Sequence, residues 1–135
     1  MKRWYLDTSV ALHAVLPWGD IRASRWLASL GEDANELLSS TLLSLEITRA
    51  LRRERLELSL AAPVLDRTSL VSIDDGVLRV AATIEAHIKS LDAIHLATCL
   101  QLGSGVTVAT HDAAMRAVAE QFGYPAFDPL EPGVG

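Results

Sequence analysis

Four carboxylates stand out by the residues around them. Asp7 closes the run Trp4-Tyr5-Leu6 and is followed by Thr8 and Ser9, while Asp112 closes Val106-Thr107-Val108-Ala109-Thr110-His111. Glu46, read on a helix, has Leu42, Leu43, Arg49 and Ala50 three and four residues away, so it lies on or beside an apolar stripe. Asp92 belongs to Leu91-Asp92-Ala93-Ile94-His95-Leu96-Ala97, which is otherwise almost wholly apolar. An acid in such surroundings needs a cation or hydrogen-bond donors, or its pKa rises until it is neutral. Four carboxylates at close quarters repel, and hard oxygen ligands in that number suit Mg²⁺ or Mn²⁺ rather than zinc. Such a cluster serves metal-assisted phosphodiester hydrolysis: the ions polarise the phosphate, lower the pKa of a water and steady the leaving oxygen.

Each acid taken alone also has a simpler use. Asp7 and Asp112 stand where helix N-caps sit, and Asp92 in the first turn of a helix is favoured by the macrodipole. Glu46 has Arg49 within reach as an ion-pair partner, or lies on a solvated flank. The set gains weight only if the fold gathers all four.

The elements that would do so can be read from the pattern. Strand signals fall at Trp4–Leu6, Leu37–Ser40, Leu70–Ile73, Val106–Ala109 and Ala126–Phe127. Helical patterns lie between them at Thr8–Leu16, Ile21–Leu30, Leu42–Leu56, Leu60–Thr68, Gly76–His87, Leu91–Leu102 and Ala113–Phe122. Thr8 or Ser9, Asp20, Thr41, Ser90 and Asp112 stand at expected helix starts, and Pro17, Gly31, Gly103 and Gly123 at expected stops. Strands alternating with helices imply an α/β fold on a parallel sheet covered on both faces, consistent with 50% apolar residues. Ligands of such sheets bind outside the carboxyl ends of the strands, which is where Asp7, Glu46, Asp92 and Asp112 would converge.

The chain's 135 residues suit one domain, spanning 1–135, and are enough for a core without disulfides or a structural metal. The single cysteine, Cys99, excludes a disulfide-stapled or cysteine-rich zinc module and points to a reducing, cytoplasmic setting. The uncharged run from Ala93 to His111 is cut by Gly103-Ser104-Gly105 and reads as helix, turn and strand, not as a membrane span. No export signal is expected from Met1-Lys2-Arg3, because Asp7 interrupts the apolar stretch that follows. A formal net charge of -5 and seven scattered aromatic residues exclude a broad basic surface or a continuous stacking platform for nucleic acid. Yet of the 17 acids four are those above, and the other 13 nearly balance the 12 Lys and Arg. The acidity is therefore concentrated at one place, whose sign a divalent ion would reverse.

Together, Leu6-Asp7-Thr8-Ser9, Glu46, Ser90-Leu91-Asp92-Ala93-Ile94-His95-Leu96-Ala97 and Thr110-His111-Asp112 resemble a PIN-domain ribonuclease, and among these the VapC toxins of toxin–antitoxin pairs. The resemblance runs from Asp7 to about Asp128 and is most specific around Asp92. It implies a three-layer α/β/α sandwich and an endoribonuclease in which Asp7, Glu46, Asp92 and Asp112 bind Mg²⁺ or Mn²⁺, with Thr8 or Ser9 and Thr110 as polar helpers. It also implies a homodimer, a structured RNA substrate such as tRNA or rRNA, and a VapB-type antitoxin covering the acidic site. Some members carry a further acid shortly after the fourth. Ala113-Ala114-Met115-Arg116 supplies none, which implies one tightly held ion and a second recruited with substrate.

Arg49 and Arg53 follow Glu46 by three and seven residues, on the same helical stripe, and either steer phosphates or sit on a solvated face with Glu54 and Glu57. Of the four histidines, His111 adjoins Asp112 and is the one placed to touch substrate. Cys99 within an apolar helix reads as a small buried residue. A catalytically silent PIN-like interaction module is the main alternative, although it would lack one of the acids. A phosphoacceptor receiver domain would want a Lys where Thr110-His111-Asp112 stands, and a phosphatase with an Asp nucleophile a second Asp at Ser9.

Overall fold

The fold is that of a computed structural model, which describes residues 1–131. Alternating side chains on the first strand decide the layering. In β1 (Lys2–Leu6), Trp4 and Leu6 point to one face of the sheet and Tyr5 to the other, and all three are buried. Around Trp4 and Leu6 collect residues of α1 (Thr8–Val15), α2 (Ile21–Ser29) and α3 (Thr41–Arg53), among them Val10, Ala23, Leu43, Ile47 and Leu51. Around Tyr5 collect Leu96 and Cys99 of α6 (Ser90–Leu102), Val106 and Val108 of β4 (Val106–Ala109), and Met115 and Val118 of α7 (Ala113–Gln121). Two apolar cores on opposite faces of one sheet make the α/β/α sandwich.

The sheet is completed by β2 (Asn35–Ser40), β3 (Ser69–Val71) and β5 (Ala126–Phe127), in the order β3-β2-β1-β4-β5, with every pair parallel. Trp4 lies opposite Leu37 on one side and Thr107 on the other. The chain builds outward from β1 to β3, then crosses back to place β4 against the other edge of β1. That reversal puts a topological switch point between β1 and β4, where the following turns diverge and open a crevice.

All five strands occur where the alternation predicts them, with ends shifted by a few residues. Three helices differ from the expectation. The pattern over Leu60–Thr68 resolves into a 3₁₀ turn (Leu58–Ala61) and a short α4 (Ala62–Leu65), because Pro63 is tolerated only in the first turn of a helix and forces a fresh start there. α3 stops at Arg53, ahead of Arg55 at φ 56. α5 (Asp75–Thr83) ends short of His87. Three caps also move: Asp7 in place of Thr8 or Ser9 precedes α1 and Lys89 in place of Ser90 precedes α6, both without a side-chain cap, and Ser40 accepts the Leu42 N–H in place of Thr41.

Candidate active site

The crevice is built first by β1 and β4. The Asp7 N–H donates to the Ala109 carbonyl at 2.9 Å, so both strands end together. Asp7 stands at the N-cap of α1 but does not cap it. Its buried carboxylate instead accepts two hydroxyls on Oδ2, from Ser9 at 2.7 Å and Thr110 at 2.8 Å. Those hydroxyls are themselves fixed, Ser9 accepting the His111 N–H at 2.9 Å and Thr110 the Asp112 N–H at 3.1 Å. Each has one proton, already given to Asp7, so the 3.3 Å approach of Ser9 and Thr110 is proximity and not a bond.

Glu46 comes from α3 and finds its partners within the sandwich. Its Oε1 accepts the Thr8 hydroxyl at 2.7 Å and lies 2.8 Å from His95 Nε2. His95 is fully buried, and its Nδ1 lies 2.7 Å from the Tyr5 hydroxyl. Burial raises the Tyr5 pKa well above its ordinary value, so the phenol keeps its proton and, at 2.7 Å, donates it to Nδ1. Nε2–H is then the donor to Glu46. Burial alone would push Glu46 upward, but the His95 and Thr8 hydrogen bonds outweigh it and hold the carboxyl below its usual range. The alternative pairing of Glu46 with Arg49 is not made.

Asp92 is the third residue of α6 and has no hydrogen-bond donor among the described residues. Its pKa is pushed up to about 6, first by burial and then by the negative charges of Asp7 and Asp112, with Glu46 adding to them and His95 opposing. That direction is opposite to a helix-dipole effect, so burial, with repulsion within the crevice added to it, outweighs the dipole. Asp112 does cap α7, its Oδ1 accepting the N–H groups of Ala114 at 2.8 Å and Met115 at 3.1 Å.

The structure thus brings all four acids into mutual electrostatic range. Hydrogen bonds saturate one oxygen each on Asp7, Glu46 and Asp112, and none on Asp92; the remaining oxygens have no protein donor among the described residues. Hard, anionic and unshared, these oxygens fit Mg²⁺ or Mn²⁺ in donor chemistry. No three His, Cys, Asp or Glu side chains among the described residues already stand close enough to enclose an ion.

Arg49 is exposed and forms no ion pair among the described residues, whereas exposed Arg53 lies 3.6 Å from its neighbour Glu54. His111 Nδ1 pairs with Asp128 at 2.8 Å. The Tyr5–His95–Glu46 chain is the part of the site that sequence reading missed; its one sequence signal is a lone histidine in an otherwise apolar helix. A separate cavity of about 590 Å³ lies between α1, α2 and α4 and is lined by none of the four acids. No helix among the described residues is long and apolar enough to cross a membrane.

A parallel α/β/α sandwich with acids gathered beyond the carboxyl ends of its central strands defines the class of protein. The chain belongs to the PIN domain family, whose model matches residues 4–121. Among similar solved structures, a toxin–antitoxin complex from Klebsiella pneumoniae has a TM-score of 0.70 at 16% identity, with 94% of this chain and 98% of that one covered. VapBC2 from Rickettsia felis, bound to a promoter DNA fragment, has a TM-score of 0.68 at 11% identity, with 93% and 98% covered. FitAcB from Neisseria gonorrhoeae has a TM-score of 0.62 at 27% identity, with 93% and 97% covered. No curated protein sequence matches the chain.

Proposed function

We propose that the chain is a Mg²⁺- or Mn²⁺-dependent endoribonuclease, the toxin of a toxin–antitoxin pair, with Asp7, Glu46, Asp92 and Asp112 as its metal ligands. The observation that carries this reading is the gathering of Asp7, Glu46, Asp92 and Asp112 around the ends of β1 and β4, each with an oxygen free of protein donors among the described residues, with burial and their closeness together pushing Asp92 up to about 6. A cation relieves such crowding, and RNA backbone phosphate is the anion that a charged-over crevice would attract. When bound, the divalent ion supplies polarisation of the phosphate and activation of a water. The chain's own residues do the positioning: Ser9 and Thr110 hold Asp7, Thr8 and His95 hold Glu46, and the backbone of α7 holds Asp112. Exposed Arg49, and more loosely Arg53, guide the strand toward the acids.

The similar structures support an antitoxin partner, since that from K. pneumoniae is a toxin–antitoxin complex and that from R. felis is VapBC2. A VapB-type antitoxin offering an Arg to the acidic crevice would match it in charge. A homodimer in the cytoplasm acting on tRNA or rRNA completes the proposal. The experiment is RNA cleavage with Mg²⁺ or Mn²⁺ by the wild type, Asp7→Asn and Asp92→Asn. Cleavage by the wild type and at least a hundredfold loss in both variants is expected, and equal rates would sink the reading. One observation favours a silent interaction module instead: no three His, Cys, Asp or Glu side chains among the described residues stand close enough to enclose an ion. Failure of the wild type to cut any RNA would select that module.

A further inference from the structure

Ser9, whose hydroxyl holds Asp7, also lines a second recess, of about 340 Å³, with Leu12, His13, Leu16, Trp18 and His111. Its volume falls at the small end of the roughly 300–1,000 Å³ that small organic ligands occupy. Trp18 is 62% exposed, on a loop that is folded back tightly on α1. The Gly19 N–H donates to the Leu16 carbonyl at 2.9 Å and the Asp20 N–H to His13 Nδ1 at 3.0 Å. A Cβ at Gly19 would overlap the His13 backbone, so this close return requires glycine. The loop therefore presents an indole to solvent from a constrained base, and not through disorder.

The rest of the recess is equally specific. His13 and His111 meet edge to face, 5.4 Å between centroids. Because His13 Nδ1 accepts a backbone N–H, its proton is on Nε2, which makes that edge a donor. The polar groups nearby already have partners: Arg22 binds Asp20 at 2.7 Å, and His111 Nδ1 lies 2.8 Å from Asp128. What remains is flat aromatic surface, an aliphatic floor and a ring N–H, without a free cation to take a phosphate. That chemistry selects a planar heteroaromatic group. Contiguity with the acids through Ser9, and His111 beside Asp112, places such a group next to the bond being cut.

We propose that this recess receives one unpaired nucleobase of the RNA strand, flanking the scissile phosphate and stacked on Trp18. The inference rests on the nuclease reading above and adds where the strand is gripped. A partner protein's apolar side chain is the competing occupant; continuity with the acids favours the strand.

Binding of a fluorescein-labelled, single-stranded RNA, read by anisotropy in Ca²⁺ buffer, tests it without requiring turnover. Trp18→Ala should weaken binding by about 5- to 150-fold, the range expected for loss of one stacked base, and Trp18→Phe should retain most of it. An abasic nucleotide walked along the strand should, at one position, weaken the wild type by the same factor and Trp18→Ala scarcely further. Equal binding by wild type and Trp18→Ala, or an abasic penalty that adds in full to the variant, overturns the proposal. So does a wild type that binds no RNA, or a Trp18→Ala variant that loses only antitoxin binding. If Trp18-dependent binding persists but the wild type cuts nothing with Mg²⁺ or Mn²⁺, the nuclease reading fails and the recess stands.

Discussion

His95 Nε2 and Glu46 Oε1 stand 2.8 Å apart across 49 residues of sequence, joining α6 to α3 at the floor of the acidic crevice. The pair is the end of a chain that begins at the Tyr5 hydroxyl on the central strand. Through it, the sheet sets the direction of a helix-borne carboxylate.

Breaking that chain should cost stability in proportion to what is left unpaired. Tyr5→Phe removes the donor to His95 Nδ1 and should destabilise by about 1–2 kcal/mol. His95→Ala also opens a cavity and strands both Tyr5 and Glu46, so about 3 kcal/mol or more is expected. Urea denaturation of the two variants checks both values. If His95→Ala proves the milder, the network does not hold the crevice.

Asp92 makes a prediction of unusual sign. Its pKa in the folded chain, about 6, lies above the ordinary carboxylate value near 4, so its ionisation disfavours folding. The metal-free protein should lose this contribution as pH rises from about 4 to 6, and Asp92→Asn should recover it. With solvent screening of a partly exposed group, the gain at pH 7.5 should be on the order of 1 kcal/mol, vanishing near pH 4. Denaturation midpoints in EDTA at both pH values decide it. A variant less stable than wild type at pH 7.5 would mean that Asp92 is attracted, not repelled, by its surroundings.

Metal binding should carry the opposite pH dependence. Ions and the Asp92 proton compete, so Mn²⁺ affinity should rise with pH and level off above about 6, falling up to tenfold per unit below it. Calorimetry of the free protein should give one tight site, with a second appearing only in the presence of an RNA analogue, since Ala113–Arg116 offers no fifth acid. Two tight sites in the free protein would contradict the second part, and a flat pH profile the first.

Arg49 and Arg53 should act through charge alone. Both are exposed, so Arg49→Ala and Arg53→Ala should leave stability within about 0.5 kcal/mol of wild type. Each loss of a phosphate contact should raise KM several-fold with little change in kcat and lower the salt slope by about one. Arg49, which has no ion pair among the described residues, should show the larger effect, and steady-state kinetics at two salt concentrations would reveal the reverse ranking if it holds.

What the sequence discloses of this site follows the range of the forces involved. Asp7 and Asp112 are legible because a strand, a turn and a helix start are local patterns, and the carboxyl-end rule then brings them together. Glu46 is legible as an acid on an apolar stripe, but its partner is not. Helical spacing nominates Arg49, whereas the fold supplies His95 from a helix that is distant in sequence. α4 is a different case: Pro63 is a local signal for a fresh helix start, and the apolar periodicity that runs through it conceals the break. The Asp92 shift has one part that was legible, burial in an apolar helix, and one that was not, the charges of Asp7, Asp112 and Glu46, which come from other elements.

The last prediction concerns the loop that carries Trp18. Gly19 has negative φ, so its requirement is not for left-handed backbone but for the absence of a side chain: a Cβ there would overlap the His13 carbonyl. Gly19→Ala must therefore push the loop off α1 and break the Asp20 N–H bond to His13 Nδ1. Backbone cannot yield as a flexible side-chain tip would, so a cost of about 2 kcal/mol or more is expected. By contrast, Gly31→Ala, at a site with nothing within 4 Å, should be nearly neutral. Hydrogen exchange should show the change confined to the loop and the end of α1, and Asp7, anchored by Ser9 and Thr110, should keep its place. A Gly19→Ala protein as stable as Gly31→Ala would show that the loop is not pressed against His13, and Trp18 would then lose its fixed base.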